Sequence, residues 1–373
     1  MIHSTPKVSV LMTVYNGLRY LAETVDSILN QTYTDFEFII VEDCSTESGV
    51  WETLTKYAEK DQRIRLFRNE ENMGQTKSLN KGLKLAQGEY IARQDADDIS
   101  LPDRFEQQVA LLDRESAIAL VCSEMEFIDS NGDSLGTTKL SCDPDLVPWY
   151  LLFYNYIQGH SQVMFRREQV ISLGSYSESF YSPIQDYELW SRLVKSGKFA
   201  IVPSVLLKLR KHGNSFSSGH GGAMQTCMVH LVRKNLKPLL GREISSEEAK
   251  ELKRFWTANW RKSNFPDIQR ISSLNSRLKE IYQAFLRQDI YQADPHSDLS
   301  RKLRTAIGKQ FIQWMQIPLS RQHSLLDKLR ISFYAFAWHP SGVPVGWLKW
   351  FIRFPSQTLI SFKSSLDAKT LPQ

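Results

Sequence analysis

The chain reads as an α/β protein: an open, mostly parallel sheet with helices on both faces, followed by a helical C-terminal region. Three observations predict this. Short apolar, β-branched runs alternate with segments of about ten residues whose apolar positions recur at helical spacing. Such alternation closes into a parallel sheet, because each crossover helix must bury its apolar stripe against one face of it. Three of the runs end in polar or acidic residues, at Tyr15, at Glu42-Asp43 and at Asp95 to Asp98, where open parallel sheets bind their ligands. Beyond about Gly222 the alternation stops and helical periodicity alone remains.

Each element has its own signal. The run Val8 to Val14 is apolar and β-branched and stops at the turn residues Asn16-Gly17, so it is a buried strand. Leu21, Val25, Ile28 and Leu29 then recur at helical spacing between Tyr20 and Leu29. Phe36 to Val41 is the second strand and Val50 to Glu59 the second helix; Ile64 to Phe67 is a short third strand. Asn72-Met73-Gly74 breaks the chain before a helix from Thr76 to Ala86, which Gly88 closes, and Tyr90 to Ala92 is a brief strand. Further on, Pro102 to Leu112 and Asp186 to Val194 are helical, while Ile118 to Cys122, Gln162 to Phe165 and Ala200 to Leu209 are strand-like. The stretch Asn214 to Gly222, rich in Ser and Gly, has the composition of a mobile loop. Met224 to Leu240 and Ser245 to Trp260 read as helices, the second opened by the capping box Ser245 to Glu248.

At 373 residues the chain exceeds one average domain. The expected division is a catalytic domain over 1–222, a helical extension over 223–300 and a basic, aromatic-rich helical tail over 301–373. Hydrophobic (42%) and charged (23%) fractions are those of a globular protein able to bury a core. Cys44, Cys122, Cys142 and Cys227 are widely spaced, which argues for ordinary buried thiols in a reducing compartment and against a zinc site. No signal peptide is expected at the N-terminus, and no stretch reaches the roughly 18 uninterrupted apolar residues of a spanning helix. Charge is unevenly divided: Met1 to Ser300 holds 35 Lys+Arg against 39 Asp+Glu, whereas Arg301 to Gln373 holds 11 against 2.

Asp95-Ala96-Asp97-Asp98 is the sharpest chemical signal. Three carboxylates within four residues repel one another unless a cation sits among them, and hard oxygen ligands suit Mg²⁺ or Mn²⁺. Taken alone, the cluster reads equally as a solvated acidic turn opening the next helix.

Seven motifs in order weigh toward the metal: VSVLMTVYNG from Val8, IVEDCST from Ile40, Asn72-Met73-Gly74, GEYIARQDADD from Gly88, MFRR from Met164, QDYELW from Gln185 and LRKHGNS from Leu209. Over roughly Lys7 to Ser217 the chain resembles a family 2 glycosyltransferase of the GT-A fold. The resemblance implies an inverting enzyme that moves a sugar from a nucleotide diphosphate, UDP favoured, to an acceptor hydroxyl. It places Val14 and Tyr15 against the base and ribose, Asp43 at the base edge with Glu42 beside it near the ribose, and Lys77 within reach of base or phosphates, with Asn80 one turn on. Asp97 becomes the direct ligand of Mn²⁺ or Mg²⁺; Asp95 and His212 join it around the metal, Asp95 also reaching the ribose and His212 the diphosphate, while Asp98 supports the loop. Arg210 and Lys211 add positive charge there, and His160 and Arg166 are weaker candidates for lining the same cleft.

Asp186 is the implied catalytic base, since inverting transfer needs one carboxylate to take the acceptor hydroxyl's proton. Many relatives carry an acid before this residue, where this chain has Gln185. Trp190, one turn on, is either a floor for the acceptor or part of the core. A nucleotidyltransferase or a dinucleotide-dependent dehydrogenase is disfavoured, because the turn after the first strand is Tyr15-Asn16-Gly17 and not a glycine-rich phosphate loop. A non-catalytic nucleotide-sugar sensor would lack the base, which Asp186 supplies.

Trp347, Trp350, Phe351 and Phe354 recur at i, i+3, i+4 and i+7 with Lys349 and Arg353 on another face, the pattern of an interfacial helix; packing as a helical domain or dimer contact is the alternative. The expected partners are thus a nucleotide-sugar donor, a carbohydrate or lipid-linked acceptor in surface polysaccharide or glycolipid assembly, and a membrane surface, with no nucleic acid. The expected location is the cytoplasm, including the inner face of the plasma membrane.

Overall fold

A computed structural model describes residues 5–138, 143–179, 184–213, 221–257, 268–288, 294, 296–315 and 325–353. Cys142, Phe354 and the segment 214–220 lie outside the described residues. The chain divides into two compact units, one comprising Met1–Leu151 with Asn155–Leu231, the other Leu152–Tyr154 with Val232–Gln373.

The first unit is a single sheet with helices on both faces. Its elements in chain order are β1 (Val8–Val14), α1 (Leu18–Leu29), β2 (Phe36–Glu42), α2 (Val50–Lys60), β3 (Ile64–Arg68), α3 (Gln75–Leu85), β4 (Tyr90–Asp95), β5 (Ile99–Ser100) and α4 (Arg104–Arg114). There follow β6 (Ile118–Ile128), β7 (Ser134–Thr137), α5 (Val147–Tyr150), β8 (Met164–Arg166), α6 (Arg167–Ser172), α7 (Gln185–Leu193) and β9 (Lys198–Arg210). The strand order is β3-β2-β1-β4-β8-β6-β9-β5, with β7 beside β6. The parallel run expected from the strand–helix rhythm covers β3-β2-β1-β4 and recurs in the β6–β9 pair. Strand β8 instead runs antiparallel to both β4 and β6.

Side-chain alternation explains why strands buried on both faces read as unbroken apolar runs. Val8, Val10, Met12 and Val14 of β1 join Phe36, Phe38 and Ile40 of β2 in one cluster with Val25 and Ile28 of α1, Leu54 of α2 and Phe105 of α4. Leu11, Ile39 and Val41 point to the other face, against Leu79 and Leu83 of α3 and Leu189 and Trp190 of α7. Gly88 lies so close to β1 that a Cβ there would stand 2.5 Å from the backbone nitrogen of Ser9. Register brings the strand ends level: Val14 pairs with Glu42, and Thr13 with Asp95.

The second unit is helical: α9 (Ser246–Thr257), α10 (Ile271–Leu286), α11 (Asp298–Met315), α12 (Leu325–Trp338) and α13 (Val343–Arg353); the unit boundary falls inside α8 (Gly221–Leu240). The capping box forms as expected, Glu248 N donating to Ser245 Oγ at 3.1 Å and Ser245 N to Glu248 Oε2 at 2.9 Å. Phe255, Phe311 and Trp314 make its aromatic centre. Trp350, expected on an interfacial face, is buried, with the Lys328 ammonium 4.9 Å from its ring centroid. Among the described residues, no helix is long and apolar enough to cross a membrane.

Candidate active site

The site is built on the carboxyl ends of β1, β2 and β4. After β1 the chain turns through Asn16 and Gly17, both at positive φ (59° and 85°), a conformation that Asn and Gly tolerate best. Asn16 Oδ1 accepts from the backbone of Thr46 (2.9 Å) and Glu47 (3.0 Å), while Glu47 Oε2 accepts from Gly17 N (2.7 Å) and Leu18 N (3.1 Å). The two loops therefore brace each other and satisfy free amides at the start of α1. Val14 is buried in the core and its carbonyl accepts from Asp43 N at 2.8 Å, whereas Tyr15 is 48% exposed and its ring is open to a ligand.

Asp43 is buried and already engaged. Its Oδ1 accepts from Asn69 Nδ2 (2.6 Å) and Met73 N (2.9 Å), its Oδ2 from Gly74 N (2.9 Å). It thus shapes the turn that leads into α3, where Lys77 is exposed. Glu42 accepts from Ser45 N and has Arg68 Nε at 2.9 Å. Asn80 clamps Tyr176 by accepting from its N (3.0 Å) and donating to its O (2.9 Å).

The carboxylates at the end of β4 differ sharply in their surroundings. Asp95 Oδ1 accepts from the fully buried guanidinium of Arg93 and, at 3.4 Å, from Gln75 Nε2; its Oδ2 accepts from Ser161 Oγ at 3.2 Å. Asp98 is held by Ser161 Oγ (2.6 Å) and Arg210 N (3.0 Å). Burial, then the charges of Asp97 and Asp95, push its carboxyl well above the ordinary range. Asp97 Oδ2 stands 2.9 Å from His212 Nε2, which β9 delivers by ending at Arg210. Burial and the neighbouring Asp95 charge raise the Asp97 carboxyl, and the His212 hydrogen bond opposes that shift. Arg210 spends its guanidinium on Glu23, on the Asp97 carbonyl and on the face of Tyr20, so it buttresses the loop.

Two of these donors suit a divalent cation. A carboxylate oxygen and an imidazole nitrogen lie within one hydrogen bond of each other, in a cluster whose mutual repulsion a cation would relieve. Among the described residues no third His, Cys, Asp or Glu completes the shell. Further ligands would have to come from diphosphate oxygens or water.

Asp186 lies in the first turn of α7, partly buried, with Oδ2 accepting from Asn155 Nδ2 at 3.0 Å. Burial outweighs its hydrogen bonds, and the carboxyl is pushed up to about 6. The charge of Asp95 also raises it. Side chains connect the two groups: Gln185 Nε2 donates to Gln75 Oε1 at 2.6 Å, and Gln75 Nε2 donates in turn to Asp95. The buried Gln185 Oε1 has no donor.

Other expected residues have partners of their own. Trp190 is fully buried against His160 and Phe165, which makes it core. His160 meets Tyr176 Oη at 2.8 Å, and burial holds its imidazole neutral. Arg166 is a correction: because β8 is antiparallel to β4, it pairs with Tyr90 at the opposite end of the strand from Asp95 and bonds Leu112 O and Ile118 O. Lys211 sits over Phe127, 3.6 Å from the ring centroid. Asn155, Gln75 and Ser161 stand 31, 20 and 66 residues from carboxylates they hold, so no local spacing points to them, whereas Arg93 lies two residues before Asp95 on β4, the i, i+2 spacing of one strand face.

Comparison with known proteins bears on the family and the fold. A sequence profile described as glycosyl transferase family 2 matches residues 9–182. An uncharacterized glycosyltransferase of Methanocaldococcus jannaschii is 37% identical over 210 residues, 55% of this chain and 71% of that protein. A putative teichuronic acid biosynthesis glycosyltransferase of Bacillus subtilis is 34% identical, over 57% of this chain and 82% of the relative. In three dimensions the chain is similar to residues 1–349 of Staphylococcus aureus TarS in complex with UDP-GlcNAc, with a TM-score of 0.53, 15% identity and coverage of 82% of this chain and 86% of that one. At that identity the likeness concerns the fold.

Proposed function

Since the chain belongs to the family 2 glycosyltransferases, we propose that it is an inverting enzyme that transfers a sugar from a nucleotide diphosphate, UDP in the first place, to a hydroxyl of a carbohydrate or lipid-linked acceptor. One observation carries this reading: Asp95, Gln75 and Gln185 form a continuous hydrogen-bonded path from the carboxylate cluster to the helix turn bearing Asp186. That link supports a single cleft for leaving-group and acceptor chemistry.

Asp97 and His212 would hold Mn²⁺ or Mg²⁺, which supplies charge stabilisation to a departing diphosphate. Tyr15 offers a stacking face to the base, Asp43 its remaining lone pair, and Lys77 a cation near the phosphates. Asp186 takes the proton of the acceptor hydroxyl as the new C–O bond forms at the anomeric carbon and the bond to the diphosphate breaks on the opposite face. With an affinity near 6 the carboxylate is ionised at neutral pH yet basic enough to bind a proton in the transition state. The named role of the Bacillus relative supports a cell-envelope polysaccharide as the acceptor class. The basic tail supports a cytoplasmic enzyme working at a membrane surface.

The test is UDP release from a panel of UDP-sugars with Mn²⁺ and envelope glycan acceptors. Asp186→Asn should lower turnover by about 10²–10⁴ while leaving donor affinity unchanged. Equal turnover in the variant would remove Asp186 from the chemistry.

A further inference from the structure

Helix α12 is apolar on two opposite sides. Inward it buries Ile331, Ala335 and Trp338, the last donating from Nε1 to Asn275 Oδ1 at 2.7 Å. Outward it presents Leu326, Leu329, Phe333 and Phe336, which are 66%, 52%, 70% and 59% exposed. These positions are spaced i, i+3, i+7 and i+10, so they form one stripe along about 15 Å of helix. Val345 and Leu348 of α13 are exposed as well. The other large exposed hydrophobic side chains among the described residues, Tyr15, Met73, Leu135 and Ile171, are scattered singly through the first unit.

An apolar stripe left in water calls for a partner, and the charge around it selects one. From Arg301 onward the chain carries 11 basic residues against 2 acidic ones. Arg330 lies at the edge of the stripe and Lys349 follows Leu348, both exposed. A second copy would bring two such segments together against like-charge repulsion. A helix with Leu and Phe outward, cations at the margin and no length to span fits the headgroup region of an anionic bilayer.

We infer that α12 lies flat on an anionic lipid surface, with Leu326, Leu329, Phe333 and Phe336 at the acyl boundary and Arg330 at phosphate level. This deepens the reading of an envelope-glycan transferase, on which it rests for its biological setting, and it narrows the membrane contact expected of the 301–373 tail to the outer face of α12.

The full chain is sedimented with vesicles of phosphatidylcholine alone or mixed with phosphatidylglycerol, and hydrogen exchange of α12 is followed with and without them. The expected result is at least tenfold tighter binding to the anionic vesicles, slowed exchange at Leu326 to Phe336, and loss of that preference in Leu329→Gln/Phe333→Gln. Arg330→Gln should weaken binding about fivefold. Vesicle binding that is absent, indifferent to lipid charge or retained by the double variant with α12 unprotected would overturn the inference. So would a concentration-dependent dimer that the double variant abolishes, because it assigns the stripe to a second copy. UDP release is scored in parallel: its persistence without vesicle binding defeats this inference alone, and vesicle binding without UDP release defeats the transferase reading alone.

Discussion

Asp186 combines a proton affinity raised by burial with a position one residue from the Gln185–Gln75 path, and both have measurable consequences. Its carboxyl must be ionised to accept a proton, so activity is present above its affinity and lost as pH falls through it. With a value of about 6, roughly nine-tenths of the carboxyl is ionised at pH 7 and about one-eleventh at pH 5, so kcat/KM should fall about tenfold between them. A pH–rate profile flat from 7 to 5 would mean that a group of ordinary carboxylate affinity, or none, is the base. Asp97, His212 and Asp186, the residues proposed for the chemistry, each stand in a sequence motif beside a strand end or at a helix start. Their supports were not legible in this way. Asn155 precedes Asp186 by 31 residues and Gln75 precedes Gln185 by 110, so only the folded chain makes them partners. Trp190 shows the converse, a motif aromatic whose spacing served the core equally well.

Strands and helices of the first half were readable because two-sided burial writes them as apolar runs between turn residues. The ends drifted by a few residues, as with the helix expected from Pro102 that begins at Arg104. Strand β6 was expected to stop at Cys122 but continues to Ile128, because its second half alternates buried and half-exposed positions while pairing with β7 and β9. Strands β5 and β7, two and four residues long, are too short to leave a periodic signal. Antiparallel β8 could not be oriented in advance, which is why Arg166 was expected at the wrong end of the sheet. The tight seat of Gly88 yields a test at this scale. Its missing Cβ would meet backbone rather than a mobile side chain, so Gly88→Ala should cost about 1–3 kcal/mol in denaturant unfolding. A variant as stable as the parent would show that β1 and β4 can separate without penalty.

At the scale of the whole molecule, the basic segment from Arg301 visible in the sequence falls inside the helical unit, whose boundary with the α/β unit lies earlier, at Leu231 and Val232. What the sequence could not convey was which aromatic face of the C-terminal helices is covered, since Trp350 and Phe333 look alike until packing distinguishes them. Ligand linkage gives the global prediction. UDP at a hundred times its dissociation constant, with Mn²⁺, should add about 2.7 kcal/mol of stability and raise the thermal midpoint by several degrees. The shift should vanish in EDTA and in Asp97→Asn; a shift indifferent to both would separate nucleotide binding from the carboxylate cluster. The most direct measurement is a crystal structure of the chain with a non-hydrolysable UDP-sugar and Mn²⁺. The expected arrangement has the cation between Asp97, His212 and the diphosphate, with the anomeric carbon facing Asp186 from the side opposite the leaving oxygen. A diphosphate bound away from Asp97, or an anomeric carbon turned away from Asp186, would contradict it.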